Sequence, residues 1–89
     1  MSDQIKRRDG VSETDLDDDL FLVDGENGEI YHLDRMAQAI WHALAEPVGQ
    51  GEMAELFVAA FPEQDPARIR QDVETALAEL IRRNLIVPA

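Results

Sequence analysis

The chain is 89 residues long, without cysteine, and its 19 acidic against 8 basic residues give a formal charge of −11. That length supports one small hydrophobic core and disfavours a self-sufficient enzyme with a deep, water-excluded pocket. The missing thiols exclude disulfide staples, thiolate catalysis and cysteine-ligated metals, and the acidic balance repels nucleic acid and anionic membrane surfaces.

Residues 1–9 are polar and mixed in charge, and are expected to form a flexible end ahead of a single domain spanning 10–89. The stretch Val11-Ser12-Glu13 suggests a short strand, and Asp15-Leu16-Asp17-Asp18-Asp19 reads as a solvated acidic loop. Leu20-Phe21-Leu22-Val23 has strand character, Asp24-Gly25-Glu26-Asn27-Gly28 marks a tight connection, and Glu29-Ile30-Tyr31-His32-Leu33 is β-favouring with partial alternation. Together these runs predict a β-hairpin.

From Asp34 the period changes from two to 3.6. Asp34 is a good N-cap, and Met36, Ala37, Ile40, Trp41 and Leu44 follow at helical spacing until Pro47 and Gly49. A second helix is expected from about Gly51, with Glu52 and Glu55 in its first turn and Met53, Leu56, Phe57, Ala60 and Phe61 as its apolar stripe, ending at Pro62. Asp65-Pro66 is the clearest start signal in the chain, a carboxylate N-cap followed by proline at N1. The third helix should bury Ile69, Val73, Ala76, Leu77, Leu80 and Ile81, turn at Asn84 in a left-handed conformation, and leave as an extended tail through Leu85-Ile86-Val87. The predicted fold is α+β, a small winged-helix-like domain with a three-stranded antiparallel sheet followed by three helices.

Chemistry-bearing patterns are sparse. Asp15, Asp17, Asp19 and Glu26 match part of a calcium loop, but Leu20 stands where the loop needs glycine. His32 and His42 have no evident third ligand, Ser2 and Ser12 lack a nucleophile-elbow context, and Gly25-Glu26-Asn27-Gly28 lacks the Gly-Lys-Ser/Thr ending of a phosphate loop. No catalytic residue, metal or cofactor is expected. Trp41 is assigned to core packing, and Arg82 and Arg83 to the dipole at the end of the third helix. Without a membrane-length apolar run or a signal-peptide h-region, the chain is expected in the cytoplasm.

The strand over residues 29–33 has no later strand of the hairpin to pair with, so it is an exposed edge. Such an edge either is a structural margin or accepts a partner strand.

The residues Leu22-Val23-Asp24 through Gly28, Ile30-Tyr31-His32-Leu33-Asp34, and Ala37-x-x-Ile40-Trp41-x-x-Leu44 resemble the PqqD-like family of peptide chaperones, the RiPP recognition elements. The resemblance continues through Glu52-Met53-Ala54-Glu55-Leu56, Asp72-Val73, Leu77-x-x-Leu80 and Asn84-Leu85-Ile86, and covers roughly residues 10–87. Family members often carry Asn in place of Asp34 and a threonine-led start where Gln50-Gly51 stands. The resemblance implies capture of the leader segment of a ribosomally made precursor peptide, added as a strand beside the third helix. It further implies presentation to a modifying enzyme such as a radical SAM enzyme, a protease or a cyclase. Carried onto this chain, it places Glu29, Ile30, Tyr31, His32 and Leu33 on the receiving strand and Arg68, Asp72 and Ala76 on the facing helix. Which flank of that helix faces the groove stays open. The domain is expected to be a monomer or a weak dimer. Two other functions are carried alongside: a regulatory or structural subunit that docks on a biosynthetic enzyme without binding peptide, and a winged-helix DNA-binding regulator, which the acidic charge disfavours.

Overall fold

The computed structural model describes residues 3–89. The elements run β1 (Gln4–Arg7), β2 (Val11–Leu16), β3 (Asp19–Asp24), β4 (Ile30–Leu33), α1 (Arg35–Ala43), β5 (Val48–Gly49), α2 (Gln50–Ala60), α3 (Pro66–Arg82) and β6 (Ile86–Pro88). The chain is α+β with three helices, as expected, but it has two three-stranded antiparallel sheets in place of one, ordered β5-β1-β6 and β2-β3-β4.

The sheet β2-β3-β4 is built from alternation. Leu20 and Leu22 on β3 point to the core while Phe21 and Val23 point away, and Leu33 of β4 lies opposite Leu20 on the same buried face. The acidic run that promised a loop is instead a hairpin: β2 continues through Asp15 and Leu16, and Asp17 and Asp18 form a two-residue turn at φ 50° and 70°. Both turn residues are left-handed, the type I′ geometry that matches strand twist, and Asp tolerates it better than most residues.

The helices cover this face. Asp34 Oδ1 accepts from Ala37 N–H at 2.9 Å to cap α1, and Gln38 Nε2 donates to the Leu33 carbonyl at 2.9 Å, pinning the helix start to the end of β4. Asp65 Oδ1 accepts from Ala67 N–H at 3.1 Å to cap α3 behind Pro66, as the sequence signalled. Trp41, Leu22, Ile40, Met53, Val73 and Leu85 are each at most 1% exposed. Burying one such side chain stabilises the fold by about 1.5–3 kcal/mol. Trp41 is a core residue, as assigned. The stripe of α2 differs from expectation: Met53, Ala54 and Phe57 are buried, while Leu56 and Phe61 face outward. Ile81 of α3 is likewise exposed.

The N-terminal segment corrects the expectation of a flexible end. Gln4–Arg7 is the central strand of the second sheet, with Ile5 opposite both Val48 and Pro88, and Arg7 opposite Ile86. Ile5 and Ile86 are buried, so a single isoleucine anchors this strand in the core. Met1 and Ser2, the tip of that expected flexible end, lie outside the described residues. Asn84 turns at φ 59°, and Leu85 and Ile86 pack as anticipated.

Candidate functional site

The outer edge of β4 is unpaired by any strand of the described residues, because the sheet order ends there. The hydrogen-bond alternation shows which backbone groups it leaves free. Asp24 N–H donates to the Glu29 carbonyl at 2.9 Å, and the register continues as Leu22 opposite Tyr31 and Leu20 opposite Leu33. In an antiparallel ladder these alternate residues turn both backbone groups toward the neighbouring strand. The N–H and C=O of Ile30 and His32 therefore point away from β3, toward open space.

That space is a groove of about 630 Å³ between β4 and α3. Tyr31, His32 and Leu33 form one wall, Asp34, Met36 and Ala37 continue it into α1, and α3 forms the other wall. The α3 residues are Gln71, Asp72, Thr75, Ala76, Glu79 and Leu80, followed by Arg83 at the C-cap. Their spacing of three and four puts them on one flank of the helix, which answers the question that sequence left open. Leu33, Ala37 and Leu80 are buried and Ala76 and Met36 half-buried, so the floor is apolar and the rim polar.

One end of the groove is closed by a contact between its walls. The Arg83 guanidinium stacks over the Tyr31 ring at 5.2 Å from its centre, a cation–π geometry. Arg83 Nε donates to Glu79 Oε1 at 2.7 Å, and Arg82 shares the same carboxylate, which the two guanidiniums hold below the ordinary range. Tyr31 donates its hydroxyl to Glu29 Oε2 at 2.7 Å, and that bond together with burial raises the phenol above its ordinary value. This end of the groove is held by paired charges.

Of the expected site residues, Tyr31, His32, Leu33, Asp72 and Ala76 come together as groove walls. Glu29 stands just before β4 and braces Tyr31. Ile30 lies on the strand but turns its side chain to the opposite sheet face from Tyr31, where it is 65% exposed. Arg68 is displaced from the groove proper: it lines an adjoining shallow recess with Asp65, Ala67, Gln71 and Asp72. Sequence reasoning missed Asp34, Met36 and Ala37 because they belong to the first turn of α1. Counting Asp72, Thr75, Ala76, Glu79, Leu80 and Arg83 along one helical flank would have found the α3 wall once Ala76 was placed.

The wider surface offers little else that is chemical. His32 Nε2 meets Asp19 Oδ1 at 3.1 Å on the exposed sheet face, and its ring tilts against Phe21 at 5.1 Å. Among the described residues no group of three or more His, Cys, Asp or Glu side chains is arranged to hold a metal ion. Among the described residues no helix is long and apolar enough to cross a membrane. What the groove can do is hydrogen-bond an extended chain through the backbone of β4 while its floor accepts apolar side chains.

Comparison with known proteins agrees with this fold. Residues 19–86 match the family model described as coenzyme PQQ synthesis protein D (PqqD). Three solved structures share the fold. TbiB1 in complex with the TbiA(beta) leader peptide is 25% identical with a TM-score of 0.75, covering 91% of this chain and 93% of that one. Lasso peptide synthetase B1 complexed with the leader peptide is 21% identical with a TM-score of 0.76, covering 94% and 98%. The solution structure of the PqqD truncation of Methylobacterium extorquens PqqCD, described as a functional and stand-alone RiPP recognition element, is 20% identical with a TM-score of 0.71, covering 97% and 90%. No curated protein sequence matches the chain.

Proposed function

Given that the chain belongs to the coenzyme PQQ synthesis protein D (PqqD) family, we propose that it binds the leader segment of a ribosomally synthesised precursor peptide and presents it to a modifying enzyme. The observation that carries this reading is the pair of outward-facing backbone units at Ile30 and His32, set beside an apolar groove walled by α3. Two structures of the same fold are complexes with leader peptides, which supports the same use of the groove here.

The leader adds as a strand antiparallel to β4. Residues Glu29, Ile30, Tyr31, His32 and Leu33 supply the ladder and its immediate support, and Asp72 and Ala76 line the facing helix. Arg68 acts from the adjoining recess, where a longer peptide would emerge from the groove. Backbone pairing gives sequence-tolerant affinity, and the apolar floor selects anchors on the peptide. Ordering a disordered leader costs free energy, so affinity is moderate. The chain acts as a binding accessory and not as a catalyst; its partner is a modifying enzyme of the radical SAM, protease or cyclase kind, met in the cytoplasm. In solution the domain is a monomer or a weak dimer, since an open edge can also pair with itself.

The test is calorimetric titration of the domain with leader peptides of precursors encoded beside it, with duplex DNA as control. Saturable one-to-one binding to a leader is expected. Silence from every peptide would overturn the reading in favour of a subunit that docks on an enzyme without touching peptide, and heat only with DNA would favour a regulator.

A further inference from the structure

The two ends of the groove differ in how their charges are paired. Arg83 marks the end at Tyr31, where Glu79 is shared between Arg82 and Arg83. Asp34 and Asp72 also line the groove, and neither forms an ion pair with a described residue. Asp72 precedes Arg83 by three helical turns, about 16 Å along α3, and Asp34 follows the last residue of β4. Both carboxylates thus belong to the end away from Arg83. They lie on the walls of a groove whose strand edge is unpaired, beside the half-buried or buried Met36, Ala37 and Ala76.

Resting on the strand-addition reading above, we infer that this groove selects a peptide with a basic side chain, lysine or arginine, two residues before an apolar anchor. An added strand that continues the antiparallel sheet runs opposite to β4, so its earlier residues lie at the Asp34 end. Side chains two apart fall on one face of that strand. A basic residue at the first inward position meets Asp34 and Asp72, and the apolar residue at the next meets Leu80 and Ala76 near Tyr31. The reverse order would bring the basic residue against Arg83 and leave the two carboxylates without an ion-pair partner.

Two end-capped, fluorescein-labelled peptides of identical composition separate these orders: Thr-Lys-Thr-Leu-Thr-Val-Thr and its reverse, Thr-Val-Thr-Leu-Thr-Lys-Thr. At low salt the first should bind roughly 5- to 10-fold more tightly by fluorescence anisotropy, the scale of one or two partly exposed charge pairs. The preference should shrink toward unity at high salt and in the double variant Asp34→Asn, Asp72→Asn, since Asn keeps the α1 cap. Equal affinity, a preference for the reverse peptide, or a preference that survives the double variant would overturn the inference. His32→Pro provides the separate control. If it abolishes binding of both peptides and they bind wild type equally, strand addition stands and only the charge selection fails. If neither peptide binds, or both bind the His32→Pro variant unchanged, strand addition at β4 itself fails.

Discussion

Trp41 of α1 donates its indole N–H to Glu13 Oε1 of β2 at 2.9 Å, and the same oxygen accepts from Arg7 Nη1 of β1 at 3.0 Å. Arg7 closes the circuit by donating through Nε and Nη2 to the Trp41 carbonyl and lying over the Trp41 ring at 4.7 Å. One carboxylate thereby ties a strand of each sheet to the first helix. Glu13→Ala should leave the buried indole N–H without a partner and cost about 1–2 kcal/mol, lowering the melting temperature by roughly 5–15 °C. Thermal unfolding followed by circular dichroism checks this, and Glu13→Gln, which keeps an acceptor, should lose less.

The register of β4 predicts opposite outcomes for neighbouring prolines. Tyr31 turns its backbone N–H toward β3, so Tyr31→Pro should break the β3–β4 ladder and destabilise the domain. His32 turns its N–H outward, where an edge strand tolerates proline. His32→Pro should keep helical circular dichroism and a melting temperature near wild type while abolishing leader binding in calorimetry. Loss of binding with Tyr31→Pro alone would move the receiving edge elsewhere.

Asp24 is 3% exposed, yet it is ionised against Arg8 and accepts from Glu26 N–H at 2.9 Å. The Arg8 hydrogen bond, followed by that backbone bond, holds its carboxyl below the ordinary value. A carboxyl depressed in the folded state contributes stability above the unfolded pKa, near about 4, and loses it as pH falls through the folded value. Stability from this group should therefore be intact at neutral pH and vanish only below about pH 4. In Asp24→Asn that acid-sensitive part should be absent, leaving a lower and flatter melting temperature between pH 7 and 3. A scan of melting temperature against pH decides it.

Gly25 N–H donates to the Gly10 carbonyl at 2.8 Å, bringing the β3–β4 turn against the β1–β2 loop. A Cβ at Gly25 would stand 2.9 Å from that carbonyl oxygen, which is backbone and has nowhere to go. Gly25→Ala should cost about 1–3 kcal/mol and loosen the turn that feeds β4, read as faster amide exchange at residues 24–29.

Much of the fold was legible because the signals were local. The Asp34 and Asp65 caps, the left-handed Asn84 and the strand over 30–33 each show in a few adjacent residues, and the edge followed from their order. The second sheet was not legible because it is assembled from distant pieces of four, two and three residues. Only Ile5 marks β1 as apolar, since its neighbours pair through backbone and not through buried side chains. In β2 the strand was legible as far as Glu13, and the acidic residues beyond it disguised its continuation through Leu16. At the candidate site the strand half was readable, but the α3 flank depended on how the helix rolls against the sheet. That roll put Asp72 and Ala76 on the groove and Arg68 beside it.

The position of β1 sets the order in which the molecule can be finished. Its partners are Val48–Gly49 and Ile86–Pro88, so β1, which precedes the other described strands, waits for more than eighty residues before its ladder is complete. The β2-β3-β4 meander needs only neighbouring sequence and can form early. The open edge of β4 can thus take shape while the chain is still emerging, whereas the pairing of β1 with β6 closes a seam between distant parts of the sequence.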